Sequence, residues 1–254
     1  MEISSNVRPL KTKDEMSLEA QRETFVASIS HDLKNPTIAQ IRALELFIKG
    51  KFGKTLPEQK EVLEMLLGSC KYMYAMLGSL LFTYRNDEGT IKLANDDVSI
   101  SELVAECTDE MIYIAKEKGV SIIFQNSAND DVVCGDKVQL KRVVMNLLSN
   151  GIKYAYKNSV MHTSVYNKDN CTCFQFENES PYLDKEKQRK IFARYVSFAQ
   201  ANKALGIGLG LYASKKIVEA HDGVIFVESF KENKNIFGFK IPNQSLKKER
   251  TVTF

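Results

Sequence analysis

Two consecutive amphipathic stretches constrain this chain more than anything else in it. Over residues 18–48 the apolar residues Phe25, Ile29, Leu33, Ile38, Ile41, Leu44 and Ile48 recur at intervals of three to five, the spacing of one face of a long α-helix. Pro36 removes one backbone donor from that pattern, which predicts a kink just C-terminal to residue 31. Gly50, Gly53 and Pro57 then punctuate a short connection. A second helix is expected over residues 58–85, with Val62, Leu66, Met73, Met76, Leu77, Leu80 and Tyr84 on its apolar stripe. Two such helices cannot bury both stripes against each other, so a homodimeric four-helix bundle is the expected way to cover the remaining apolar surface. The alternative is a hairpin docked on the rest of its own chain.

The chain has 254 residues, 44% hydrophobic and 26% charged, enough for one large domain or two modest ones. No apolar run approaches the ~18 residues of a membrane span, and the N-terminus lacks the charged-then-apolar pattern of a signal peptide. The expectation is a cytoplasmic protein with no membrane segment in this chain, or the cytoplasmic part of a larger sensor, with residues 1–17 as a linker or N-terminal extension. Five cysteines show no paired metal spacing and are read as reduced; Cys171 and Cys173, two apart in an expected strand, point to the same face. A formal net charge of +3 gives no argument for nucleic acid, and the basic C-terminal tail, residues 246–254, is read as solvated.

After residues 86–89 the pattern changes to mixed elements, which sets the expected domains at 18–86 and 87–245. Helices are expected at 100–118, 137–156, 185–193 and 208–220, and strands at 120–124, 160–166, 172–177, 224–230 and 236–241. That order suggests helices packed on one face of a mixed sheet.

Chemistry concentrates first in Ser30-His31-Asp32-Leu33-Lys34-Asn35-Pro36. His31 and Asn35, four apart, share a helix face, and Asp32 lies beside the imidazole as a group to orient or deprotonate it. A second concentration is the helix segment at 146–155, where Asn146, Asn150, Lys153 and Tyr154 project to one side while Val143, Leu147 and Leu148 face a core. A third is Gly206-Ile207-Gly208-Leu209-Gly210-Leu211, glycine-rich backbone that opens a helix whose free amides favour an anion. Each alone has a plain structural reading: an exposed helix turn, incidental surface amides, a tight turn.

Taken in this order, the three motifs resemble those of histidine protein kinases, from about residue 20 to 245. Residues 30–36 match the phosphoacceptor signature throughout, residues 146–155 resemble the N-box, and residues 206–211 the G2-box, with Ile207 where Thr or Ser is usual. The resemblance implies an all-α helical hairpin forming a dimeric four-helix bundle, followed by an α+β sandwich of the Bergerat ATP-binding type. It implies ATP and Mg2+ as cofactors, with Asn150 offering its carbonyl oxygen to the metal, a hard cation that keeps mostly oxygen ligands. Lys153 would face phosphate and Tyr154 would line the nucleotide pocket, with Asn146, Gly206, Gly208, Leu209, Gly210 and Leu211 completing it. Residues 191–195 resemble the F-box, although taken alone Phe192 and Tyr195 read as core aromatics. Residues 196–205 would be a lid over ATP, and Arg194 and Lys203 both remain candidates to reach the γ-phosphate.

At the G1-box this chain departs from the family, because Glu177-Asn178-Glu179-Ser180-Pro181 stands where Asp-x-Gly-x-Gly is usual. Asn178 is expected to accept from the adenine amino group through its amide oxygen, about half as strongly as a carboxylate. Ser180 would cost about 1 kcal/mol if its φ were positive, so the expected pocket works but binds more weakly.

The activity implied is ATP-dependent autophosphorylation of His31, then phosphoryl transfer to an aspartate of a response-regulator receiver domain, with Asn35 positioning a water to dephosphorylate that regulator. A pseudokinase scaffold that binds a regulator is the main alternative; a chaperone-like or anti-sigma-factor ATPase is disfavoured because it needs no phosphoacceptor helix. His162, in an expected strand, and His221, before Gly223, read as structural residues.

Overall fold

In the computed structural model, which describes residues 13–85, 93–196 and 208–243, two long helices come first, α1 (Lys13–Ile48) and α2 (Pro57–Arg85). Expectations for residues 1–12, the junction at 86–92, the lid with Lys203, Gly206 and Ile207, and the tail from 244 lie outside the described residues. The chain divides into two units, Met1–Gly89 and Thr90–Phe254.

In the first unit α1 runs unbroken through Pro36, whose missing N–H withdraws the donor for the carbonyl of Asp32. One residue on, the Thr37 hydroxyl donates to the Leu33 carbonyl at 2.7 Å, so a side chain adds a bond in the weakened turn. The connection closes at Gly50 and Gly53, with φ of 69° and 114°, conformations glycine adopts without strain. Across the pair, Glu45 meets Lys71 at 3.1 Å and Cys70 donates to Gln40 at 3.7 Å, contacts that fix the antiparallel register. Such exposed pairs contribute only about 0.2–1 kcal/mol.

Little of the hairpin is buried among its described side chains. Among its described side chains Leu77 is the one buried hydrophobic, while Ile29, Leu33, Val62, Met65, Leu66 and Met73 are exposed. Phe47, Thr55, Glu58, Gln59, Val62 and Leu63 line an open groove of about 580 Å³ near the connection. This is the unburied stripe expected of two helices waiting for further helices.

The second unit contains β1 (Asp96–Ser99), α3 (Ile100–Glu117), β2 (Val120–Asn126), β3 (Val132–Gly135), α4 (Lys137–Tyr154), β4 (Ser159–Lys168), β5 (Cys171–Glu179), α5 (Lys185–Lys190), α6 (Gly210–Ala220), β6 (Val224–Phe230) and β7 (Lys234–Pro242). A five-stranded sheet has the order β2-β4-β5-β7-β6, parallel between β2 and β4 and antiparallel elsewhere. Helices α3, α4 and α6 pack beside one another on this sheet. Phe174, Phe176 and Phe239 from the strands meet Leu103, Leu140, Leu147, Leu148 and Ile217 from the helices in a core at most 1% exposed. Burial of side chains of this kind contributes about 1.5–3 kcal/mol each.

Several bounds differ from the sequence expectation. Strands β1 and β3, which pair in a separate two-stranded ribbon, were not foreseen, since four residues are too few to show a period. Helix α5 stops at Lys190, and residues 191–195 form turns instead of continuing it. Tyr195 is 57% exposed with φ of 60°, so it is no core aromatic.

The two remaining histidines differ in setting. His162 is exposed on β4. His221 is fully buried at the end of α6; its Nε2 accepts from the Asp136 amide at 3.0 Å, which leaves Nδ1 to donate to the Ile217 carbonyl at 2.7 Å. The ring thereby fastens α6 to the N-cap of α4. His221→Leu is expected to strand the Asp136 N–H and lower stability by about 1–3 kcal/mol, measured as a lower urea midpoint for the full chain.

Candidate functional site

Helix α4 sets the geometry. Asp136 caps it, accepting from the Gln139 amide at 3.0 Å, and Leu140, Val143, Val144, Leu147 and Leu148 are entirely buried. That stripe fixes the rotation of the helix about its axis, and residues 146, 150, 153 and 154 fall on its other side. Gly151 allows the close approach to the sheet: a Cβ there would lie 2.6 Å from Met161 Sδ and 2.9 Å from the Phe176 ring.

Asn146 faces α6, donating from Nδ2 to Ser214 Oγ at 2.9 Å. Gly210 makes the contact possible, since a Cβ at that position would sit 2.5 Å from Asn146 Oδ1. One turn further along α4, Asn150 is half-buried. A half-buried amide oxygen of that kind fits a hard divalent cation. Lys153 is half-buried with its ammonium 5.4 Å from the centre of the Tyr154 ring, and Tyr154 is 40% exposed. Desolvation holds the Lys153 ammonium below the usual lysine range. The Lys118 ammonium donates to the Lys153 carbonyl and closes the last turn of α4; desolvation, then the charges of Lys153 and Lys157, depress it as well.

The start of α6 approaches the same place. Leu209 is its N-cap and supplies no side-chain acceptor to the first-turn amides. Gly208, with φ of 71°, packs where any Cβ would lie 2.5 Å from the Val196 carbonyl oxygen, and its own carbonyl accepts from the Tyr195 amide at 3.1 Å. Arg194 in that turn stacks 4.8 Å above the Tyr212 ring and donates to its hydroxyl at 3.0 Å. Leu209 is buried and Leu211 half-buried against this arrangement.

Asn178 proves to be tied into the protein on both sides of its amide. It is 2% exposed; its Nδ2 donates to the Gly151 carbonyl at 2.7 Å, and its Oδ1 accepts from Ser180 Oγ at 3.1 Å. Ser180 does not have a positive φ, so the backbone cost weighed for it does not arise. In the first unit, Asp32 and Asn35 are exposed on α1, which also carries residue 31; the side chain of His31 lies outside the described residues, as does Gly206.

Residues 21–89 match the His Kinase A (phospho-acceptor) domain, and residues 135–245 match the histidine kinase-, DNA gyrase B- and HSP90-like ATPase domain. The chain belongs to the histidine protein kinases. Among relatives of this kinase family, the sensor protein KdpD of Clostridium acetobutylicum is 28% identical over 240 residues, 92% of this chain and 26% of its own length. The chain spans between 26% and 65% of the first curated relatives it matches. Its fold is shared with full-length ShkA solved with AMPPNP (TM-score 0.68, 21% identity, covering 86% of this chain and 45% of that one). It is shared too with the histidine kinase ThkA solved in complex with the response regulator protein TrrA (TM-score 0.60, 20% identity, covering 96% and 69%).

Against this kinase pattern, sequence reasoning missed Ser214, Tyr212 and Asn235. The first two are partners of Asn146 and Arg194 made only by packing α6 on its neighbours, and no local spacing announces them. Asn235 is the cross-strand partner of Asn178, visible only once β5 and β7 are in register. Gly208→Ala is expected to lower stability by about 1–2 kcal/mol through its left-handed backbone alone. A urea midpoint unchanged from wild type would contradict the left-handed conformation of residue 208.

Proposed function

We propose that this chain is the kinase module of a two-component system, working as a homodimer in the cytoplasm and autophosphorylating His31 from Mg-ATP. The observation that carries the reading is the convergence of the amide face of α4 on the uncapped start of α6, with Asn146 held between Gly210 and Ser214. An amide face, an ammonium and the first-turn backbone amides of a helix together suit a polyphosphate. Asn150 would hold Mg2+, with Lys153 and Arg194 as the cations nearest the phosphates and Tyr154 beside the nucleotide. Gly208, Leu209, Gly210 and Leu211 would supply the backbone around them; Gly206, assigned to the same site, lies outside the described residues. When bound, Mg2+ neutralises charge on the phosphate oxygens.

The neutral imidazole of His31 attacks through a ring nitrogen. A nitrogen–phosphorus bond forms as the bond from the γ-phosphorus to the bridging oxygen breaks, and ADP leaves with that electron pair. Asp32 orients or accepts the proton on the other ring nitrogen. The phosphoryl group then passes to an aspartate of a response-regulator receiver domain, and Asn35 positions a water that hydrolyses the regulator's aspartyl phosphate to inorganic phosphate. The exposed apolar stripe of the hairpin supports a second copy as the partner that completes the bundle. One observation favours the scaffold reading instead: the amide at position 178 is already engaged on both sides.

Incubation of the full chain with γ-labelled ATP and Mg2+ is expected to give label that is lost in acid, and His31→Ala is expected to abolish it. Wild-type protein that never acquires acid-labile label would reject the enzymatic reading in favour of the scaffold. Asn35→Ala is expected to retain labelling and to slow dephosphorylation of the regulator severalfold, followed as loss of label from the isolated receiver domain.

A further inference from the structure

Arg194 lies in the turns that follow α5, outside any helix or strand, so no regular element of its own orients its long side chain. Helix α6 does so instead. The guanidinium lies 4.8 Å above the centre of the Tyr212 ring and donates from Nη2 to the Tyr212 hydroxyl at 3.0 Å. The stack sets the plane of the group and the hydrogen bond sets its rotation within that plane, so the two contacts together fix the orientation of a planar cation.

The main chain is tied to the same place. The Tyr195 amide donates to the Gly208 carbonyl at 3.1 Å, and Gly208 lies so close to Val196 that a Cβ would meet its carbonyl oxygen at 2.5 Å. Tyr212 belongs to the first turn of α6, and both it and Arg194 are half-buried. The cation is therefore held beside the end of α6 that favours an anion. Lys216, one turn further along α6, also lies over the ring at 5.9 Å, but its ammonium is paired with Glu219 at 3.3 Å.

Resting on the nucleotide reading above, we propose that Tyr212 is the positioning residue that holds the Arg194 guanidinium where the terminal phosphate of ATP arrives. Arg194 then meets the negative charge of that phosphate as its bond to the bridging oxygen breaks and the bond to the His31 nitrogen forms. Tyr212 itself touches neither the nucleotide nor the histidine. A guanidinium has five N–H donors in a rigid fork and the hydroxyl engages one edge of it, which suits a group that must also offer parallel bonds to phosphate. An arginine oriented in advance needs no ordering at the moment of reaction. That saving acts on the rate of transfer, and not on affinity for a nucleotide that lacks the terminal phosphate.

The test is the initial rate of acid-labile labelling of the full chain at saturating Mg-ATP, together with calorimetric titration with ADP. Arg194→Ala is expected to lower the rate about a hundredfold, the usual loss of one preorganised donor. Tyr212→Leu is expected to lower it about tenfold, since the arginine remains but is no longer held. Tyr212→Phe, which keeps the stack and loses the hydroxyl, is expected to lie about threefold below wild type. ADP is expected to bind each variant within about twofold of wild type. Adding Tyr212→Leu to Arg194→Ala is expected to change the rate by less than about twofold, because nothing is left to position. A further tenfold loss in that double variant would overturn the proposal, as would ADP binding weakened in step with the rate, no effect of Arg194→Ala, or the same loss in Lys216→Ala. Urea midpoints identify any variant that fails to fold; Arg194→Gln then takes the place of Arg194→Ala, and Tyr212→Phe that of Tyr212→Leu. A loss from Tyr212→Phe that disappears when Arg194 is also replaced supports the proposal, and an equal loss in both backgrounds overturns it. Wild type that never acquires label overturns the functional reading and this proposal with it, whereas labelled wild type with any of the contrary outcomes overturns this proposal alone.

Discussion

The rotational setting of helix α4 is the constraint on which the rest of the C-terminal unit depends. Its apolar stripe is sealed between α3, α6 and the sheet, and Gly151 lets its last turns lie directly on Met161 and Phe176. Interiors packed at crystal-like density resist small rotations, because every buried methyl would have to move. The helix therefore presents Asn146, Asn150 and Lys153 on one side without needing those residues to hold it there. The polar side is free to be chosen for chemistry because the apolar side already provides the stability.

The hairpin follows the opposite logic. Few of its described side chains are buried, and the contacts across it include one exposed ion pair, one weak hydrogen bond and the Lys34 ammonium over the Tyr74 ring. Its helices are amphipathic, and most of a helix's stability in a protein comes from packing its apolar face, so they need more helices. A phosphoacceptor residue belongs on such an element, since a side chain that must meet a second protein cannot be placed inside a finished core.

How much of this was legible in the chain depended on the range over which each signal acts. The 3.6-residue periodicity gave α1, α2, α3 and α4 to within a few residues, and the strand at 224–230 came out with its observed bounds, because those patterns are local. The ribbon of β1 and β3 was invisible since its only reason to exist is pairing across more than thirty residues. Helix α5 was read too long, as the apolar residues after Lys190 mimic helical spacing while the backbone turns. At the site, Asn146 and Asn150 could be named from one helix face. The engagement of Asn178 could not, because its partners Gly151, Ser180 and, at one remove, Asn235 come together only when three elements dock.

The substitution of amide for carboxylate at position 178 has one further consequence. Asn178 and Asn235 carry no titratable proton, and the hydroxyl between them has none to release in water at ordinary pH. A carboxylic acid in the same dry setting would have its ionisation coupled to whatever docked beside it, so that acidity in the surroundings changed its grip. Here that corner of the protein keeps the same set of donors and acceptors in weak acid and in weak base, and any response of the molecule to acidity must originate elsewhere.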